Sequence, residues 1–165
     1  MKIMICGLGR AGKDQLAEHL AEYLSCDFRS SSHVAMDMCI WNNWGRYLYS
    51  DKEACYEDRI NHRMEWKNRI IELNRNDLTT LGRGIFGECD IYVGCRAIAE
   101  FQALKDAGVF DLSIWVDSSQ RLPNLVDESC EITSSNCDIV VGNNGTLGDL
   151  KYKTGLIAAW VKDNE

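Results

Sequence analysis

The chain has 165 residues, enough for one domain with a core of its own. Hydrophobic residues make up 45%, charged residues 26%, and the formal net charge is −7. No apolar run approaches the ~18 residues that a membrane span requires. The acidic balance argues against stable binding along nucleic acid, whose binders present a basic face.

The first strand is expected at residues 2–6, Lys2-Ile3-Met4-Ile5-Cys6. It is too short for a signal-peptide core and leads straight into glycines, so the expected location is the cytoplasm. A helix is expected over 12–24, where Leu16, Leu20, Tyr23 and Leu24 recur at helical spacing. A short strand near Asp27–Ser30 follows, then a helix over 33–44. Residues 52–74 read as one long charged helical segment through Tyr56, Ile60, Met64 and Ile71, and a shorter helix covers 77–86. Next come a strand at Asp90–Cys95, a helix over 97–107 closed by Gly108, and a strand at Leu112–Val116. Residues 117–136 are polar and irregular. Asp138–Val141 is the last strand, and a helix over 147–162 follows a turn, with Thr146 placed to cap it. Strands alternating with helices predict an α/β fold around a parallel sheet, whose ligands sit at the carboxyl ends of the strands.

There are eight cysteines. No pair has CxxC spacing, and no histidine stands at finger-like spacing, so they read as buried reduced thiols acting as small hydrophobes.

The main chemical signal is Gly7-Leu8-Gly9-Arg10-Ala11-Gly12-Lys13-Asp14. It fits G-x-x-x-x-G-K, with Asp where Ser or Thr is usual. Glycines let the backbone wrap so that its N–H groups face phosphate oxygens. The following helix aims its positive end at the same anion. Lys13 is expected to bridge the β- and γ-phosphates of ATP, and Asp14 stands where Mg²⁺ would be held, directly or through water. Arg10 points to solvent or touches the phosphates from the side. Arg96, directly after a buried strand, should emerge beside this loop; its structural alternative is an i,i+4 pair with Glu100. Arg121 lies in the polar stretch after Val116. Asp117 either helps to hold Mg²⁺ through water or caps a turn.

Residues 29–75 are rich in aromatics and arginines, among them Trp41, Arg46, Tyr47, Arg59, Arg63, Trp66 and Arg69. They suit an acceptor with a ring and a phosphate. Trp66 shares a helical face with His62, Arg69 and Leu73, which reads either as a stacking surface or as a packing stripe. Arg46 is the candidate for a second acceptor-phosphate contact.

The chain resembles the deoxynucleoside monophosphate kinases of bacteriophages. The matching pieces are GLGRAGKD, Ile91–Arg96 with Glu100, Ile114–Asp117 followed by Arg121, and Cys137–Leu147. In order and spacing they cover most of the chain, and dephospho-coenzyme A kinases share part of the pattern. The resemblance implies a single three-layer P-loop kinase domain over 1–165. It would carry an inserted helical acceptor region near 33–86 and a short lid near 117–136. It implies ATP-dependent phosphorylation of deoxynucleoside 5′-monophosphates, with Lys13 and Arg121 on the transferring phosphoryl group and Arg96 clamping the acceptor phosphate. Asn144, in the loop beside the adenine, would join Gly7–Asp14 in holding ATP. If the chain is phage-encoded, its place is the host cytoplasm. A hydroxyl acceptor, as in dephospho-coenzyme A or a hydroxymethylated base in DNA, is an alternative; it would want a carboxylate base, for which Asp37 is the nominee. A non-catalytic ATP-binding regulatory module is another. Five tryptophans leave room for an apolar homodimer interface.

Overall fold

A computed structural model describes residues 1–164. Five strands form one parallel sheet: β1 (Ile3–Cys6), β2 (Phe28–Ser30), β3 (Ile91–Val93), β4 (Leu112–Asp117) and β5 (Ile139–Gly142), in the order β2-β3-β1-β4-β5. Ile3 lies opposite both Ile91 and Leu112, so β1 is a central strand. Its four residues are all buried, as the apolar run predicts for a strand covered on both faces.

Successive side chains of a strand point to opposite faces. Ile3, Ile5, Ile91, Val93, Ile114 and Val116 face one layer, built from α1 (Lys13–Leu24) and α7 (Leu147–Asp163). Met4, Cys6, Tyr92 and Trp115 face the other, where α2 (Ser31–Ala35), α4 (Arg63–Leu73), α5 (Thr80–Glu88) and α6 (Ile98–Asp106) pack. The result is the expected three-layer α/β architecture. All eight cysteines are free, and five of them are buried in these layers. Among the described residues no helix is long and apolar enough to cross a membrane.

Several element ends are set by local chemistry. Thr146 accepts from the Asp149 amide while Asp149 accepts from the Thr146 amide, a reciprocal cap that starts α7 where expected. Asp51 caps α3 (Lys52–Glu57) by accepting from the Ala54 amide.

Two expectations are corrected. The helix expected over 33–44 is α2 running into a π-helical turn at Met36–Ile40, after which the chain turns away. The long helix expected over 52–74 is broken. α3 gives way to a 3₁₀ turn at Asp58–Asn61, and α4 begins only at Arg63. At the break the Asp58 carboxylate accepts from Tyr49 Oη at 2.7 Å and Asn61 Nδ2 at 2.6 Å, and it pairs with His62 at 3.1 Å. These side-chain bonds pin the 3₁₀ turn to the residues around it. Periodicity carried across the break, and the geometry did not.

Candidate active site

The phosphate loop joins β1 to α1 at the carboxyl edge of the sheet. Gly7 and Gly12 have φ of +150° and +96°, in the region that favours glycine. Close approach adds a second requirement. A Cβ on Gly12 would lie 2.2 Å from Asn143 Nδ2, and one on Gly7 would lie 2.9 Å from the Val116 carbonyl. Asn143 holds the loop from the other side by donating to the Ala11 carbonyl at 2.8 Å.

Lys13 opens α1 and turns back over the loop. Its ammonium donates to the carbonyls of Gly7 at 3.0 Å and Leu8 at 2.8 Å. Burial lowers its pKa, and the nearby charge of Arg96 lowers it further. Two cations therefore converge at the loop mouth, an arrangement that a polyanion would relieve.

Strand order explains the convergence. β1 lies between β3 and β4, so the loops leaving all three strands meet at one edge. Arg96, two residues after Gly94, points to the phosphate loop and bonds Asp127 at 2.7 Å. It does not pair with Glu100. That carboxyl is 4% exposed and accepts from Tyr92 Oη at 2.9 Å and Asn74 Nδ2 at 3.3 Å.

A cavity of about 410 Å³ opens from the loop mouth, within the ~300–1,000 Å³ range of small-ligand sites. Its polar lining includes Gly9, Lys13, Asp14, Arg59, Arg63 and Arg96. Its apolar and aromatic lining includes Tyr56, Trp66, Ile70, Leu81 and Tyr92, and Glu100 also lines it. Arg59 stacks on the Tyr56 ring, with its guanidinium carbon 3.8 Å from the centroid. Trp66 is 5% exposed, and its indole N–H is a buried donor without a partner among the described residues. An acceptor atom on a ligand would satisfy it.

Arg10 also lines the cavity from an exposed position, with φ +64°. Arg121 sits on the far side of the phosphate loop, donating to the carbonyls of Arg10 and Ala11, both at 3.3 Å, and to Asn143 at 3.2 Å. It braces the loop. Asn144 accepts from the amides of Gln120 and Arg121 and donates to Asp117 at 3.0 Å. Asp117 also accepts from the Ser119 amide at 3.1 Å, so it caps this turn. Arg46 is exposed, with its guanidinium over the Tyr47 ring, and does not line the cavity. Of the Trp66 face, His62 pairs with Asp58, and Arg69 bonds Glu65 at 2.7 Å and the Asn43 carbonyl at 3.1 Å. On that face Trp66 lines the cavity, while its charged neighbours are taken up by partners of their own. Asp37 is exposed and ion-paired to Lys52, and it too does not line the cavity.

Three groups at the site carried no individual sequence signal. Arg59 and Arg63 stood out only as members of an arginine-rich stretch. Asp127 had none, since it lies in an irregular segment and reaches the loop through tertiary folding.

The loop fits a phosphate. The Gly9 amide and Arg96 already hold an anionic oxygen, that of Asp127, at 3.1 and 2.7 Å. No group of three or more His, Cys, Asp or Glu side chains among the described residues is arranged to hold a metal by itself. Asp14 in the first turn of α1 suits Mg²⁺ in its usual kinase form, held by one or two carboxylates and by substrate phosphates.

Glu100 makes a pH prediction. Burial pushes its carboxyl up to about 7, against the pull of the bonds from Tyr92 and Asn74. An unfolded Glu titrates near ~4.3, so the folded chain holds more protons between there and about 7. Stability from this group is complete below the unfolded value and is lost as pH rises through the folded one. Glu100→Gln should flatten that loss, which is on the order of 3 kcal/mol across the window. Urea unfolding from pH 4.5 to 8 checks it; equal slopes in both proteins would refute it.

No protein-family model matches the chain, and no curated protein matches it. Solved structures do. The shikimate kinase from Acinetobacter baumannii, in complex with shikimate, is similar at TM-score 0.56 and 12% identity, covering 99% of this chain and 94% of that one. The shikimate kinase from Aquifex aeolicus is similar at TM-score 0.53 and 13% identity, covering 99% and 98%. At such identity the likeness is one of fold. With its parallel five-stranded sheet and its glycine loop after β1, the chain has the P-loop kinase fold that these enzymes share.

Proposed function

We propose that the chain is an ATP-dependent kinase of deoxynucleoside 5′-monophosphates, making the diphosphates. The observation that carries this reading is the mixed wall of the cavity. It brings the phosphate loop and Arg59, Arg63 and Arg96 together with the aromatic rings of Tyr56, Trp66 and Tyr92. A nucleoside monophosphate needs both kinds of partner, cations for its phosphate and aromatic faces for its flat base.

On this reading the loop amides and Lys13 hold the donor phosphates. Arg96, with Arg59 and Arg63 beside it, holds the acceptor phosphate and aims it at the donor. An acceptor oxygen forms a bond to the γ-phosphorus as the bond to the leaving ADP oxygen breaks. The acceptor oxygen is already anionic, so no general base is needed. Mg²⁺, when bound near Asp14, neutralises charge on the phosphates. The solvent-exposed pairing of Asp37 with Lys52 weighs against a hydroxyl acceptor that would use it as base.

The test is ADP production from ATP·Mg²⁺ with a panel of ribo- and deoxynucleoside monophosphates. Turnover with one or a few deoxynucleotides supports the reading and names the base. Silence across the panel, with ATP still bound, overturns it.

A further inference from the structure

Asp127 occupies an unusual position for a loop carboxylate. The polar segment after β4 crosses the loop mouth and buries this side chain to 4% exposure. Its Oδ2 accepts from the Gly9 amide at 3.1 Å and from Arg96 Nη1 at 2.7 Å. Its Oδ1 accepts from the Ser129 amide at 3.2 Å and from the Ser129 hydroxyl, with Arg63 Nη1 at 3.9 Å. Arg96 also donates to the Ser129 hydroxyl. Burial alone would raise the Asp127 pKa. The bonds from Ser129 and the charge of Arg96 outweigh it and hold the carboxyl down to about 2.

These donors are drawn from the phosphate machinery. Gly9 belongs to the glycine loop, and Arg63 and Arg96 line the cavity. A Cβ on Gly9 would lie 3.3 Å from the Asp127 oxygen and 3.9 Å from Arg63, so the three groups meet at one point. A loop amide and two guanidinium groups around one point are a phosphate-binding set.

We propose that the Gly9 amide, Arg63 and Arg96 form an anion subsite for a nucleotide phosphate, and that Asp127 fills it as an internal stand-in which the phosphate must displace. The inference rests on the phosphate-handling reading of the cavity and adds its regulation. A carboxylate tethered to the chain competes at a high effective concentration. Only molecules in which it has swung away are competent to bind, which weakens the apparent affinity by that fraction. A phosphate carries more charge and more acceptor oxygens than a carboxylate, so it can win the exchange. Its arrival frees the segment over 119–130 from the loop, and that segment can then re-close on the bound nucleotide.

The experiment uses inorganic pyrophosphate without magnesium or acceptor, titrated calorimetrically into the full chain and into Asp127→Asn. Asparagine keeps the shape and removes the charge, so the variant should bind about tenfold tighter. Unchanged or weaker binding would overturn the proposal and make Asp127 a scaffold for Arg96. Hydrogen exchange on the unmodified chain gives a second reading that does not depend on the variant folding. The Ser129 amide bonds to the Asp127 carboxylate, so it should exchange faster when pyrophosphate is added. Slower exchange there would equally overturn the proposal. A silent nucleotide panel beside tighter pyrophosphate binding would sink the kinase reading alone. Turnover on the panel beside unchanged binding would sink the latch alone.

Discussion

Lys13→Ala is expected to lower kcat/KM for phosphoryl transfer by about a thousandfold, the scale seen when a preorganised cation or oxyanion donor is removed from such a site. The cause lies in where the ammonium sits. It leaves the start of α1 and folds onto the carbonyls of Gly7 and Leu8, poised at the loop mouth. Burial and the neighbouring Arg96 make its charged form costly in the empty site. That cost falls when phosphate arrives, so the interaction is strongest where charge develops. Stability should change little, because the variant loses two hydrogen bonds and also sheds a half-buried charge. Steady-state ADP release and thermal unfolding check both halves. A fall in rate of less than tenfold would mean that Lys13 is not at the reacting phosphate.

Arg96→Ala should lower kcat/KM for the acceptor by about a hundredfold to a thousandfold. Arg96→Lys should recover only a small part, because an ammonium cannot present two parallel donors to a phosphate. The loss should fall on the acceptor KM if Arg96 only binds, and on kcat as well if it aims the attacking oxygen. Removing Arg96 also leaves Asp127 buried beside a weaker set of donors. The double variant Arg96→Ala/Asp127→Asn should therefore be more stable than Arg96→Ala alone, a non-additive result expected of residues in direct contact. Arg46→Ala is the control, and its exposed side chain predicts no change in acceptor kinetics. Equal effects of Arg46 and Arg96 would refute the assignment of the cavity.

Short-range physics made much of the fold readable in advance. Ile3–Cys6 is apolar throughout because β1 is covered on both faces, and GLGRAGKD follows it because a loop with φ of +150° and +96° needs glycine at those turns. Thr146 with Asp149 marks the start of α7 because a cap is satisfied within four residues. Each of these features depends on neighbours in the chain, and neighbours are what a sequence displays. Periodicity alone draws a continuous helix across Asp58, where a 3₁₀ turn is pinned by side-chain bonds to Tyr49, Asn61 and His62.

By itself, then, the sequence determined the order of strands and helices, the phosphate loop and the cations available to serve it. The tertiary structure decided which of those cations meet. Strand order places β1 between β3 and β4, and that brings Arg96 to the loop while Arg46 is left in solvent. It also carries Asp127 across 118 positions of chain to the Gly9 amide and seals Glu100 under Tyr92 and Asn74. Contacts of that range leave no periodic trace, because they follow from how layers stack, and no residue pattern within a single element records the stacking.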